Sequence, residues 1–300
     1  MTYIDIIKPI HPNVLQEEPL SRHTSFRVGG PAELLVKTEN SKEFVFLVET
    51  CKKHNIPFVV LGDGSNTLVS DNGLRGVVIC TNRMNDIQIL DNNRISAQAG
   101  AKLSKVAEVA CNTGLAGFEF ASGIPGTVGG AIYMNAGAYD GTVGEFCESV
   151  TLLGEDVFTK AGSEMEFGYR KSYAQNTGLI ILDATFALSP GNPEDIRNKM
   201  KELNNRRRQT QPLEYPSAGS TFKRPEGYFA GKLIQDSGLK GFSIGGAQIS
   251  EKHAGFVINT GGATATDIYN LIKEVQKRVY ENFGVHLETE VKLLGFEAEL

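Results

Sequence analysis

The sequence predicts an α+β chain of more than one lobe, and three observations carry that expectation. Its 300 residues exceed a typical domain of about 100–150 residues. Its first third alternates short apolar runs with an amphipathic helical pattern, as βαβ units do. Its 33 glycines are about 11% of the chain against roughly 7% on average, and many gather into two loops. With 41% hydrophobic and 22% charged residues, the chain has the composition of a globular protein with a real core.

Residues 33–38 form a short apolar run. Ser41 then caps a helix whose Phe44, Leu47, Val48 and Cys51 recur at i, i+3, i+4 and i+7. A second strand, 56–61, ends abruptly in Gly62-Asp63-Gly64-Ser65-Asn66, and 75–80 supplies a third. Runs at 87–90 and 94–99 read as a hairpin about Asp91-Asn92-Asn93. Ser104 opens a short helix with Val106, Ala107, Ala110 and Cys111 on one face and Gly114 as its stop. A glycine-rich stretch, 123–131, precedes strands expected at 149–153 and 179–187.

Asn192-Pro193 takes the cap and first-turn positions of a helix carrying Ile196, Met200 and Leu203 and ending at Arg206, Arg207 and Arg208. Pro212, Pro216, Gly219 and Pro225 then mark irregular backbone. Thr266 opens the most regular helix, through Ile268, Leu271, Ile272, Val275 and Val279 to Gly284. Residues 287–295 read as a closing strand. These elements divide the chain into 1–80, 81–190 and 191–300, with the last strand able to return to the second segment.

Several function classes are disfavoured. A formal net charge of −5 argues against a general nucleic-acid coat or a polybasic membrane binder. Cys51, Cys80, Cys111 and Cys147 contain no C-x-x-C, and the five histidines form no H-x-x-x-H. Neither a zinc site nor a disulfide framework is expected, and no metal. Asp5 and Lys8 interrupt the first apolar stretch, so a signal peptide is not expected there. The uncharged run 120–139 holds five glycines and a proline and makes a poor membrane helix. A cytoplasmic protein is the expectation.

The chemistry hints lie in the two glycine loops. The first directly follows a strand, where glycine backbone can turn its N–H groups toward an anion. It is neither a Walker loop nor the Rossmann fingerprint, since Gly62-x-Gly64-x-x runs to Thr67 with no amphipathic helix after it. An ordinary tight turn is the plain alternative. The second loop packs Gly123, Gly126, Gly129, Gly130 and Pro125 into nine residues with Thr127 beside them. Two such loops suit a diphosphate ligand, and a dinucleotide cofactor held without a Rossmann helix is the natural candidate. A glycine-rich hinge remains the alternative.

Three segments, Arg22-His23-Thr24-Ser25-Phe26-Arg27-Val28-Gly29-Gly30-Pro31-Ala32, Leu61-Gly62-Asp63-Gly64-Ser65-Asn66 and Gly123-Ile124-Pro125-Gly126-Thr127-Val128-Gly129-Gly130, resemble the UDP-N-acetylenolpyruvoylglucosamine reductase family. Phe167-Gly168-Tyr169-Arg170, Pro216-Ser217-Ala218-Gly219-Ser220 and Leu287-Glu288-Thr289-Glu290-Val291 extend the match in order along the chain. The resemblance implies a two-lobed FAD-binding fold of the vanillyl-alcohol-oxidase type, followed by a C-terminal α/β substrate-binding domain. It assigns 1–80 and 81–190 to the two FAD lobes and 191–300 to the substrate. FAD is then bound by Gly62, Asp63, Gly64, Ser65, Asn66, Gly123, Gly126, Thr127, Gly129 and Gly130. Many vanillyl-alcohol oxidases tether flavin through a histidine beside the first loop. Ser65-Asn66 stands there in this chain, which implies noncovalent FAD.

The same resemblance makes Arg170, Ser220 and Glu290 the catalytic residues, NADPH the hydride donor and cell-wall precursor synthesis the setting. Read alone, each residue has a plain alternative: a surface charge, a turn hydroxyl and a solvent-facing acid. Together they fit the reduction of an enol ether conjugated to a carboxylate. Arg170 supplies a fixed cationic fork for the charge pushed into the carboxylate, with Glu290 supporting it. Ser220 has no neighbouring base, and a hydroxyl gives its proton only to a very basic carbon. Tyr169, Lys223, Arg224 and Arg208 are the expected substrate contacts, the cations suiting a diphosphate. No tyrosine-bearing insertion interrupts Tyr228-Phe229-Ala230, so the chain resembles the shorter type of the family. A flavin oxidase of the same fold and a non-catalytic nucleotide-sugar binder are the competing readings. No nucleic acid, membrane or obligate protein partner is expected.

Overall fold

The computed structural model describes residues 2–296. They fall into two compact units, each built from separated stretches of chain. The first takes the residues up to Val14, Val36–Asp63 and Val78–Arg207, and the second takes Leu15–Leu35, Gly64–Val77 and the residues from Arg208 on. This differs from three consecutive segments. Strands Pro31–Lys37 and Leu74–Cys80 each begin in one unit and end in the other, so 1–80 is shared between them. Helix Pro193–Thr210 belongs to the first unit as far as Arg207, which moves the late boundary from 190/191 to 207/208.

The first unit is centred on a five-stranded sheet in the order Val157–Ala161, Cys147–Leu153, Ile180–Ala187, Arg94–Gln98, Ile87–Leu90. All neighbours are antiparallel, and the expected 87–90/94–98 hairpin pairs Leu90 with Arg94. Alternation places Ile95, Ala97, Val150, Leu152, Ala184 and Phe186 in one core with Phe118 and Phe120. Phe118 meets Phe186 at 4.8 Å and Phe120 edge-on at 5.5 Å between centroids. Helix Ser41–Lys53 starts as expected, but its cap is Asn40, whose Oδ1 accepts the Glu43 N–H at 3.0 Å. Helix Leu103–Asn112 likewise starts before Ser104, because Leu103 N–H is bonded to the Gly126 carbonyl at 3.0 Å.

The second unit holds a four-stranded antiparallel sheet, Ser217–Ser220, Phe256–Asn259, Ala247–Ile249, Ser243–Ile244. Helices Ala230–Asp236 and Ala265–Phe283 pack against each other over its core. The long helix is capped by Thr264, whose hydroxyl accepts from Asp267 N–H at 3.0 Å, rather than by Thr266. The Thr266 hydroxyl instead donates to Asp71 Oδ2 at 2.7 Å. The closing strand is shorter than expected, Lys292–Leu294, and pairs in parallel with Thr67–Val69. It therefore returns to the 1–80 segment and not to 81–190. A parallel partner more than two hundred residues away leaves no local signal in the sequence.

Among the described residues no helix is long and apolar enough to cross a membrane, and no group of His, Cys, Asp or Glu is arranged to hold a metal. The four cysteines are buried, and none forms a disulfide among the described residues. Burial pushes the thiols of Cys51 and Cys147 up to about 11 and about 12, helped at Cys147 by the charge of Glu148, and this disfavours the reactive thiolate form.

Candidate active site

The two glycine loops meet within the first unit. Strand Phe58–Leu61 delivers Gly62 against Thr127, so closely that a Cβ on Gly62 would press into the Thr127 hydroxyl. Thr127 is buried and stands at the cap of a short helix, Val128–Met134. Residues 128–131 are thus helical, where the sequence reads as bare loop throughout. Two bonds fix that turn to the chain just beyond strand Arg94–Gln98: Val128 N–H to Ala101 O and Gly129 N–H to Ala99 O, both 2.8 Å. Gly126 has φ +119, a conformation few other residues adopt. Among the described residues, none accepts from the N–H groups of Gly62, Asp63 and Gly130. A Cβ on Gly130 would find only Thr127 Oγ1, at 3.8 Å. The result is a bare backbone surface with donors to spare, and it fits the diphosphate of a dinucleotide.

Arg170 and Tyr169 lie in the same unit, on a tight turn closed by Gly168 and Lys171, whose N–H groups each donate to the other's carbonyl at 3.1 and 3.3 Å. Arg170 is held at φ +54, a strained setting for a residue with a side chain. Asn135 enforces it. Its Nδ2 donates to Gly168 O at 3.0 Å while its Oδ1 accepts Gly144 N–H at 3.0 Å. The Arg170 guanidinium lies 5.2 Å from the Tyr169 ring centre, and Tyr169 is exposed.

The second unit brings the segments carrying Ser220 and Glu290 together. Ser220 ends a strand rather than sitting in a loop, pairs with Phe256 and is exposed. Gly219, at φ +75, makes the irregularity that precedes it. The next residue, Thr221, is buried and locks the strand on two sides. Its N–H donates to Gly255 O at 2.9 Å, its hydroxyl accepts Val257 N–H at 3.1 Å, and its carbonyl accepts Glu290 N–H at 2.8 Å. Glu290 precedes the closing strand instead of lying in it.

The end of the first glycine loop reaches the same place. Asn66 Nδ2 donates to Glu290 O at 3.0 Å, and Asn66 O accepts Lys292 N–H at 2.9 Å. Much of the Asn66 side chain is therefore spent on positioning the Glu290 segment. Gly64, at φ +58, gives its carbonyl to Ser25 N–H at 3.1 Å, and a Cβ there would strike the His23 carbonyl. Ser65 lies between these two anchors.

The cations expected to meet a diphosphate have different surroundings. Lys223 follows Ser220 on the same segment but is paired with Glu288 at 2.9 Å, which offsets its charge. Arg224 lies over the Phe229 ring at 4.6 Å. Arg208 is exposed, and its carbonyl accepts Lys252 Nζ at 2.7 Å. Lys292 was not singled out in the sequence. Burial and the charge of Lys223 push its ammonium pKa down, and Glu290 pushes it up. The available signal was its i+2 spacing from Glu290 in extended chain.

Residues 32–165 match the family described as FAD binding domain, and with the bare glycine loops this makes the chain a flavoprotein. Residues 211–294 match the family described as UDP-N-acetylenolpyruvoylglucosamine reductase, C-terminal domain. A UDP-N-acetylenolpyruvoylglucosamine reductase of Clostridium perfringens is 52% identical over 285 residues, 94% of this chain and 93% of that protein. Its counterpart in Caldanaerobacter subterraneus is 52% identical over 280 residues, 93% of this chain and 92% of the other. The crystal structure of the reductase from Thermus caldophilus superimposes with a TM-score of 0.80 at 34% identity, covering 94% of this chain and 98% of that one. The chain belongs to the UDP-N-acetylenolpyruvoylglucosamine reductase family, with an FAD-binding domain followed by the carboxy-terminal domain of that family.

Proposed function

We propose that this chain is a cytoplasmic, NADPH-dependent oxidoreductase that reduces the enolpyruvyl group of UDP-N-acetylenolpyruvoylglucosamine to give UDP-N-acetylmuramate for peptidoglycan. Residues 1–80 and 81–207 supply the FAD site and the residues beyond them the substrate site. FAD would be held noncovalently, with the N–H groups of Gly62, Asp63 and Gly130 available to its diphosphate and Gly64, Ser65, Asn66, Gly123, Gly126, Thr127 and Gly129 shaping the cradle. When bound, FAD supplies hydride to the β-carbon of the enolpyruvyl group.

The chain's own residues then manage charge and a proton. Arg170 offers a planar cation for the carboxylate that collects charge, and Glu290 supports the same group. Ser220 gives its proton to the α-carbon. Its hydroxyl is too weak an acid to protonate any but a very basic carbon. Tyr169, Lys223, Arg224 and Arg208 hold the uridine diphosphate end. The observation that supports this reading is the Glu290 N–H to Thr221 O bond of 2.8 Å, which joins the segments carrying Ser220 and Glu290.

The test is an anaerobic spectrum followed by turnover. The purified protein is expected to be yellow, to release its flavin on acid denaturation and to oxidise NADPH only when the sugar nucleotide is present. A colourless protein would favour a nucleotide-sugar binder. Flavin that air reoxidises rapidly, with no need for NADPH, would favour an oxidase.

A further inference from the structure

Arg207 lies near the end of helix Pro193–Thr210, within the first unit, and is half-buried. Its Nη1–H donates to the carbonyl of Gly123, the first residue of the second glycine loop. Asn204, one turn earlier, donates from Nδ2 to Ser122 Oγ at 3.2 Å. Its Oδ1 stands 2.5 Å from where a Cβ on Gly123 would be, so glycine is what lets the helix approach. The Tyr139 hydroxyl ties the same turn down by donating to Leu203 O at 2.9 Å. The sequence shows a run of three arginines at a helix end, of which Arg208 is the one expected to meet the substrate diphosphate. The fold separates them: Arg206 lies over the Tyr139 ring at 5.2 Å, Arg208 is exposed, and Arg207 turns onto the loop.

The charge of Arg207 is not balanced by the protein. A guanidinium has five N–H donors. Among the described residues only the Gly123 carbonyl accepts from Arg207, and no carboxylate lies within ion-pair distance of it. Burial works against that charge, and the Tyr139 side chain favours it. A half-buried cation without a counter-ion is expensive to keep, and here it adjoins a loop whose backbone donors also lack acceptors.

We propose that Arg207 is a cofactor-binding residue with two tasks: it fixes the Gly123 carbonyl and with it the second glycine loop, and it supplies the fixed positive charge that the FAD diphosphate meets there. The inference rests on the FAD assignment and adds to it the group that answers the cofactor's negative charge.

The experiment titrates apoprotein with FAD and with riboflavin, which lacks the diphosphate, at low and high salt, reading flavin fluorescence. Arg207→Met is expected to weaken FAD by about 10- to 100-fold, as loss of a charge-assisted contact does, while riboflavin changes less than about twofold. Wild-type affinity for FAD is expected to fall with salt more steeply than that of the variant. Arg207→Lys, which keeps the charge and loses the fork, is expected to lie between them, and the same FAD-to-riboflavin comparison is read from it if the methionine variant does not fold. Equal losses for FAD and riboflavin would leave only a structural clamp and overturn the proposal, as would unchanged FAD affinity. A wild-type protein that takes up no FAD would refute the cofactor assignment itself, before any variant is made.

Discussion

Gly62→Ala tests whether the two glycine loops are fitted to each other. The added methyl would stand 3.2 Å from Thr127 Cγ2 and 3.4 Å from its Cβ, and closer still to Oγ1. Thr127 has little freedom to yield. It is buried, β-branched and stiff at χ1. Its carbonyl accepts Ala131 N–H at 2.9 Å, and the next two residues are bonded to Ala101 and Ala99. The overpacking should cost about 1–3 kcal/mol and displace the loop enough to weaken FAD. Thr127→Ala removes both crowding atoms. In the double variant about 1–2 kcal/mol of the Gly62→Ala cost should return, since contacting residues couple by roughly that amount. Urea unfolding of the four apoproteins gives the cycle, and FAD titration gives the functional counterpart. A neutral Gly62→Ala, or single effects that add to within about 0.5 kcal/mol, would refute the argument.

Two further outcomes follow from the same geometry. Partial burial opposes the charge of Asp71, but bonds from the Thr266 hydroxyl and the Ala265 and Thr266 N–H groups hold its carboxyl below the usual range. A depressed carboxylate stabilises above its unfolded value and loses that contribution as pH falls through the folded one. Asp71→Ala should cost about 1 kcal/mol at neutral pH in denaturant melts, and the gap to wild type should close below about pH 3, under the unfolded carboxyl value. Arg170→Asn relieves the left-handed backbone at φ +54, which asparagine tolerates. It should raise stability by up to about 1 kcal/mol while lowering turnover by on the order of 100-fold, as removal of a positioned charge-stabilising group does. A variant that is more stable and fully active would show that Arg170 is an ordinary surface arginine.

Local patterns recovered most of the elements and missed what depends on distant partners. The helix over 265–283 is legible because its apolar stripe repeats with the helical period and Gly284 stops it. Its cap was misread because Thr264 and Thr266 are equally good side chains, and only Asp71 claims the second. Ser220 reads as loop because proline and glycine surround it. The strand exists because Phe256–Asn259 pairs with it, and sequence spacing cannot display such a pairing. The helical start at Val128 was hidden by glycines, which have poor helix propensity. The carbonyls of Ala99 and Ala101, just beyond strand Arg94–Gln98, compensate. Arg207 shows the same limit at the level of chemistry. Three adjacent arginines look alike in sequence, and packing alone selects the one that meets the glycine loop.

The central claim is a division of labour in which the FAD site takes hydride from NADPH and Ser220 acts only afterwards. Ser220→Ala separates the two halves in a single anaerobic stopped-flow experiment. The variant is expected to bind FAD and to lose its yellow colour with NADPH at nearly the wild-type rate. Recovery of that colour on adding UDP-N-acetylenolpyruvoylglucosamine should then slow by on the order of 100-fold or more, the scale of a lost proton donor. Normal recovery of colour in the alanine variant, or failure of NADPH to reduce a flavin that is fully bound, would contradict the account.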